Sequence, residues 1–153
     1  MNKILNTLAI IVILSLVLSG CSPAQSSNDV NSGSIYINAS TYGKNASQGE
    51  IVEFFSTVTH DIQNNSTIVV RTSPESGNRW RFALCYGIEC FISNGDKIIE
   101  KNIDLSPNSP LEFDVKIFVP EQANPGESST VTLEVQSAAS QATTIVSFTA
   151  TVK

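Results

Sequence analysis

The sequence predicts an all-β fold, an antiparallel β-sandwich of roughly seven to nine short strands. Three observations lead there. From residue 34 onward the chain alternates apolar and polar residues with a period of two. Gly, Pro and Asn clusters break that alternation at short intervals. No stretch of the body carries a sustained apolar stripe at helical spacing. The length is near that of an immunoglobulin-like domain, so an immunoglobulin-like sandwich is favoured over a barrel.

The inward rows follow in order. Ile35 and Ile37 open the series, followed by Val52, Phe54, Ser56 and Val58. Ile68 with Val70, and Trp80 with Phe82 and Leu84, come next. Leu111, Phe113, Val115, Ile117 and Val119 share one face, with Glu112, Asp114 and Lys116 on the other. That is the signature of a half-buried antiparallel strand. Val131, Leu133 and Val135 repeat it against Thr132 and Glu134, and Val146, Phe148, Ala150 and Val152 close the set. Asn64-Asn65-Ser66 and Pro74-Glu75-Ser76-Gly77-Asn78 read as links. Asn94-Gly95 predicts a type I′ hairpin, which needs positive φ at both positions. Pro107-Asn108 and Pro125-Gly126 suit β-turns, with Pro setting φ and the next residue tolerating the left-handed region.

A chain of 153 residues holds one domain of ordinary size. Its 41% apolar and 15% charged content separates it from charge-rich disordered chains. The net charge of -5 argues against nucleic acid as a partner, because phosphate binding needs clustered Lys and Arg. A single His and a single Met, at position 1, exclude His-cluster metal sites and methionine-ligated copper. No metal and no cofactor are expected.

The N-terminus reads as an address. Lys3 precedes an almost entirely apolar run from Ile4 to Leu18, short for a membrane-spanning helix. The run ends in Leu18-Ser19-Gly20-Cys21, which resembles the lipobox of bacterial lipoproteins. Small residues there let the backbone enter a lipoprotein signal peptidase, and the Cys thiol carries a diacylglyceryl group. The resemblance implies a signal peptide over 1–20, acylation of Cys21, with palmitate among the chains, and a bilayer as the first partner. The competing reading is an uncleaved anchor helix with an incidental Cys. Both place the body outside the cytoplasmic membrane, on the cell membrane or the outer membrane. Ser22 allows outer-membrane sorting. Residues 22–33, SPAQSSNDVNSG, are too polar to offset their ordering entropy. They form a tether, beginning at the lipidated Cys21, with a reach of about 20 Å. The sandwich then occupies 34–153.

The stretch Val119-Pro120-Glu121-Gln122-Ala123-Asn124-Pro125-Gly126, followed by a Thr/Val strand ending in Gln136-Ser137, resembles a bacterial immunoglobulin-like domain of the NEW3 type, first noted beside alpha-galactosidase modules. Leu105-Ser106-Pro107-Asn108 is similar to that family's Leu-x-Pro-Gly turn, with Asn where Gly is usual, and Trp80 before a Phe/Leu strand also fits. The likeness covers residues 48–152 and rests on structural turns. It implies a sandwich fold and an accessory or interaction role at the cell surface. It brings no catalytic residues.

Cys85 and Cys90 remain once Cys21 is assigned to lipid. They flank Tyr86-Gly87-Ile88-Glu89 between two strand candidates, so a hairpin places them opposite each other. Export favours a disulfide worth about 2 kcal/mol. Redox catalysis usually needs two intervening residues at a helix start, and zinc needs four ligands. Tyr86 and Ile88 at the hairpin tip are a candidate binding surface, since apolar tips are unusual and a closed loop is pre-organised. The alternative is that both side chains cap the open end of the core.

Other constellations are weaker. His60-Asp61 near Ser56 or Ser66 lacks a nucleophile-elbow motif, and His60 reads as a partly exposed strand-end residue. Glu112, Asp114 and Glu134 are candidates to share one solvated face, with Arg71, Arg79 and Arg81 as cross-strand partners. Ser93-Asn94-Gly95-Asp96 has too few oxygens for an EF-hand loop. Asn38, Asn45, Asn64 and Asn65 match the glycosylation sequon, which a bacterial lipobox makes incidental.

The expectation is a non-enzymatic, membrane-anchored lipoprotein that presents an interaction, adhesion or assembly domain to an envelope protein or glycan. The alternative is a carbohydrate-binding accessory module or hydrolase-associated domain. Cys21→Ala should abolish labelling by radioactive palmitate and leave a precursor that retains the apolar segment. Undiminished labelling of that variant would exclude Cys21 as the acylation site.

Overall fold

The computed structural model describes residues 33–61, 63–75 and 80–153. The expected signal peptide 1–20, Cys21 and the tether up to residue 32 lie outside the described residues, as do Arg79 and residues 76–78 of the Pro74–Asn78 link. Gly33, the last residue of the expected tether, is already buried, and its carbonyl accepts a hydrogen bond from Ser140 Oγ at 3.1 Å.

Ten strands and no helix are found among the described residues. They are β1 (Ile35–Ala39), β2 (Gly43–Ala46), β3 (Ile51–His60), β4 (Ser66–Pro74), β5 (Arg81–Tyr86), β6 (Glu89–Ser93), β7 (Ile99–Leu105), β8 (Leu111–Phe118), β9 (Ser128–Ser137) and β10 (Thr143–Val152). One five-stranded sheet has the order β1-β3-β8-β5-β6, and the other the order β2-β10-β9-β4-β7. Facing each other, they make an immunoglobulin-like sandwich. Pairing is antiparallel except where β2 runs parallel to β10, pairing Gly43 with Thr149 and Ala46 with Val152. The chain therefore changes sheets between β1 and β2, which no local period signals.

The inward rows are those the alternation predicts. Val52, Phe54, Val58, Phe113, Val115 and Ile117 come from the first sheet, and Ile68, Val70, Val131, Leu133, Val135, Phe148 and Ala150 from the second. All are buried. Removing these faces from water is the main favourable term in folding. Phe54 and Phe148 stack between the sheets with ring centroids 5.1 Å apart. The strand count exceeds the expected seven to nine because β2, β6 and β7 carry weak or broken alternation. In β7, Lys101 occupies an inward position between buried Ile99 and Ile103, with its ammonium 3.5 Å from the Phe91 ring centroid. Cation–π attraction offsets part of its desolvation there.

Two turn expectations hold and one does not. Asn108 adopts φ 56°, and Gly126 adopts φ 87°, each immediately after its proline. Asn94-Gly95 forms no hairpin. β6 and β7 belong to different sheets, and residues 94–98 carry the chain between them. Gly95 has φ 94°, but Asn94 does not take the positive φ that a type I′ turn demands. Ser93 Oγ donates to the Lys97 carbonyl at 2.5 Å and closes this crossover.

Candidate functional site

The outer face of the first sheet is built by register. Directly paired residues in antiparallel strands point to the same side. Phe55 on β3 pairs with Asp114 on β8, Asp114 with Cys85 on β5, and Cys85 with Cys90 on β6. These side chains form one row across four strands. Glu53, Lys116, Ala83 and Ile92 form the row on one side. Asn38, Thr57 and Glu112 form the row on the other.

A groove of about 1070 Å³ runs over these rows. Its lining includes Asn38, Phe55, Thr57, Glu112, Asp114 and Lys116, with both cysteines and Tyr86 at one side. Ser56 and Phe113 also contribute, although their side chains belong to the core, so their backbone forms floor. Phe55 is 56% exposed, unusual for a phenylalanine in mid-strand.

Cys85 and Cys90 form a disulfide with Cα atoms 4.1 Å apart. The short separation is near that of a non-hydrogen-bonded cross-strand pair. The hairpin is tighter than the four-residue link expected from sequence. Tyr86 pairs with Glu89, leaving Gly87-Ile88 as a two-residue turn. Gly87 has φ 57°, the positive value a type II′ turn needs at its first central position.

The turn separates the two expected tip residues. Tyr86 pairs with Phe113 on the inner side, and its ring lies 6.0 Å from Phe91 and 6.1 Å from Phe113. It packs half-buried against the core. Ile88 is fully exposed at the turn.

Charges at the groove are uneven. Lys116 Nζ binds Glu53 Oε1 and lies 3.0 Å from Asp114 Oδ2. Its pKa is raised, first by the Glu53 hydrogen bond and then by that to Asp114. Asp114 Oδ1 is buried and has no hydrogen-bond partner among the described residues. Burial raises the Asp114 pKa above the ordinary carboxyl range, and the hydrogen bond and charge of Lys116 pull it partly back. Glu112 is exposed and makes no ion pair among the described residues.

The other constellations fall apart in space. Glu134 lies on the second sheet, where Arg71 Nη1 reaches it at 3.2 Å and Arg71 Nε reaches Glu100 at 2.6 Å. It therefore shares no face with Glu112 and Asp114, which stand on the first sheet. Arg71 is the cross-strand partner expected for Glu134, whereas Arg81 sits 5.1 Å over the Phe118 ring. His60 is buried rather than partly exposed, because it extends the inward row of β3 opposite Ile35. Neither of its ring nitrogens has a partner among the described residues. Ser56 is four residues earlier on the same strand, about 13 Å away at ordinary strand rise, too far for a base and its nucleophile. Among the described residues, no group of His, Cys, Asp or Glu could hold a metal ion.

No protein-family model matches the chain, and no curated protein matches it in sequence. Solved structures share its fold. A family 123 glycoside hydrolase from Clostridium perfringens is similar at TM-score 0.52 and 11% identity, over 79% of this chain. The chain spans only 27% of that enzyme's length. A PapD-like domain of human CEP192 aligns over 88% of this chain and 95% of its own, at TM-score 0.48 and 7% identity. AggA, the major subunit of aggregative adherence fimbriae type I from Escherichia coli, aligns over 80% and 97%, at TM-score 0.44 and 18% identity. At these identities the likeness concerns fold alone.

Two predictions come from this geometry. Tyr86→Ala should cost about 2–4 kcal/mol in urea unfolding, whereas Ile88→Ala should stay within about 0.5 kcal/mol of wild type. The second concerns Asp114. Its raised pKa means that the folded state holds the proton to higher pH than the unfolded chain does. The associated stability is present below the unfolded carboxyl pKa and is lost as pH rises through the folded one. Asp114→Asn should therefore melt above wild type at pH 7, and that advantage should vanish below about pH 4. Thermal melts at the two pH values check it.

Proposed function

We propose that this chain is a non-enzymatic, lipid-anchored interaction module of a bacterial envelope, and that its ligand surface is the groove on the outer face of the first sheet. The immunoglobulin-like sandwich is compatible with an interaction domain. Anchoring rests on the lipobox resemblance at Leu18–Cys21 and the polar segment that follows it. The observation that carries the choice of surface is the row Phe55-Asp114-Cys85-Cys90. It places an exposed aromatic ring, a carboxylate oxygen without a partner among the described residues and a disulfide wall side by side. Pre-organised sites of this kind lose little entropy on binding. Ile88, exposed at the end of the same hairpin, extends the contact area.

The alternative is a carbohydrate-binding accessory module. It draws on the NEW3-type resemblance of residues 48–152 and on Phe55 as an aromatic platform.

Photocrosslinking in cells separates these readings. A benzoylphenylalanine placed at Phe55 should yield a discrete protein adduct. The same probe at Ile145, exposed on the second sheet, should not. Equal adducts at both positions would remove the groove from the proposal. A saturable glycan hit for the full-length protein, abolished by Phe55→Ala, would favour the accessory module.

A further inference from the structure

Resting on the reading of the groove as the ligand surface, we propose that it binds a basic side chain of a protein partner. The charged head sits between Asp114 and Glu112, and the aliphatic stem lies along Phe55.

Charge complementarity selects that occupant. The groove is lined by Glu112 and Asp114 against the single cation Lys116. Lys116 is already engaged, by Asp114 and by Glu53 from the neighbouring row. Glu112 is left without an ion pair among the described residues, and Asp114 Oδ1 without a donor. A buried acceptor that has lost water and gained no partner costs free energy. A guanidinium or ammonium head brings the missing positive charge to exposed Glu112 and to the edge of Asp114, and a rotation of the Asp114 carboxylate presents Oδ1 to its N–H in a charge-assisted hydrogen bond. A neutral sugar supplies the donor alone and leaves the excess negative charge in place.

The surrounding surface fits the rest of such a residue. Phe55 is in register with Asp114 and more than half exposed, so its ring lies beside the carboxylate. A guanidinium or a lysine stem packs favourably against an aromatic ring. The Cys85–Cys90 disulfide bounds the row on the other side of Asp114 and fixes β5 against β6. At about 1070 Å³ the groove exceeds one side chain, which favours a peptide segment over a free amine.

The test uses the full-length protein in detergent micelles and a fluorescein-labelled nonapeptide of alternating arginine and serine. A counterpart with citrulline in place of arginine keeps the shape without the charge. By fluorescence polarisation the arginine peptide should saturate, with the citrulline peptide about tenfold weaker. Asp114→Asn and Phe55→Ala should each weaken the arginine peptide about tenfold. Glu121→Gln removes an equal charge from the exposed link after β8, and should change affinity by less than about twofold because exposed charges are screened. Equal losses for Asp114→Asn and Glu121→Gln would reduce the effect to overall charge and overturn the proposal. Citrulline binding as tight as arginine would also overturn it. No arginine binding, with the Phe55 crosslink intact, would reject the basic ligand and keep the groove. Loss of both would reject the groove itself. Asp114→Asn must melt at or above wild type for its affinity to count, and Phe55→Ala, altering a solvent-facing ring, supplies an independent arm.

Discussion

Phe54 and Phe148 meet between the sheets with centroids 5.1 Å apart, and both rings are wholly excluded from water. Face-to-face burial of two sheets is the constraint on which the other features depend. Each sheet is stable only while its inner side chains are covered, so inward positions are mostly apolar, with Ser56, His60 and Thr72 as buried polar exceptions. The period of two then hands the alternate positions to solvent. What the chain can do chemically is confined to those outward rows, the links and the edges. The two outer faces use that freedom differently. The second sheet carries an ordered polar surface. Arg71 bridges Glu100 and Glu134 there, and Thr130 and Thr132 hydrogen-bond to Thr149 and Ser147 across the β9–β10 pair. The first sheet leaves Tyr36, Ile51, Phe55 and Ile92 exposed, and there Asp114 keeps one carboxylate oxygen, Oδ1, without a partner among the described residues.

The legibility of the fold follows from the same constraint. Inner rows such as Leu111 to Val119 were readable because burial on one side imposes a strict local period. β2 was not readable, because Gly43-Lys44-Asn45-Ala46 owes its strand state to a parallel partner over a hundred residues away in β10. β7 was obscured by Lys101, whose inward position is compensated by the ring of Phe91. Asn94-Gly95 misled because turn chemistry is local, whereas sheet membership is decided by tertiary contacts. His60 was a missed continuation. Val52, Phe54, Ser56 and Val58 set a parity that His60 keeps, and that parity alone places it inside.

The candidate site was legible in fragments. Pairing of Cys85 with Cys90 needed only the hairpin between them. The placement of Tyr86 needed the turn length as well. A two-residue turn puts Tyr86 in the ladder opposite Glu89 and directs its ring inward, while Ile88 is left in water. Of the groove, only the shared face of Glu112 and Asp114 was readable, from the alternation along one strand. Phe55, Asp114 and Cys85 are far apart in sequence, and adjacent only through the β3–β8 and β8–β5 registers. Glu134 shows the converse error: its carboxylate resembles those of Glu112 and Asp114 in pattern but belongs to the other sheet.

Asp114 has a bland account, in which it is simply one half of an ion pair with Lys116. That account explains Oδ2 and leaves Oδ1 unexplained. A surface ion pair is worth little, and Lys116 already has Glu53 as a second partner. Occluding a carboxylate between Phe55 and a disulfide costs more than such a pair returns, which is why its proton is held to higher pH. Stability alone gives no reason for an acid at this position, since a neutral residue of the same shape would avoid the desolvation. Local conflicts of this kind are expected where a surface has been shaped for a contact. A donor of positive charge would relieve that conflict on the outer face of the first sheet, whereas Ile88 at the hairpin tip, already in water, has no such conflict to relieve.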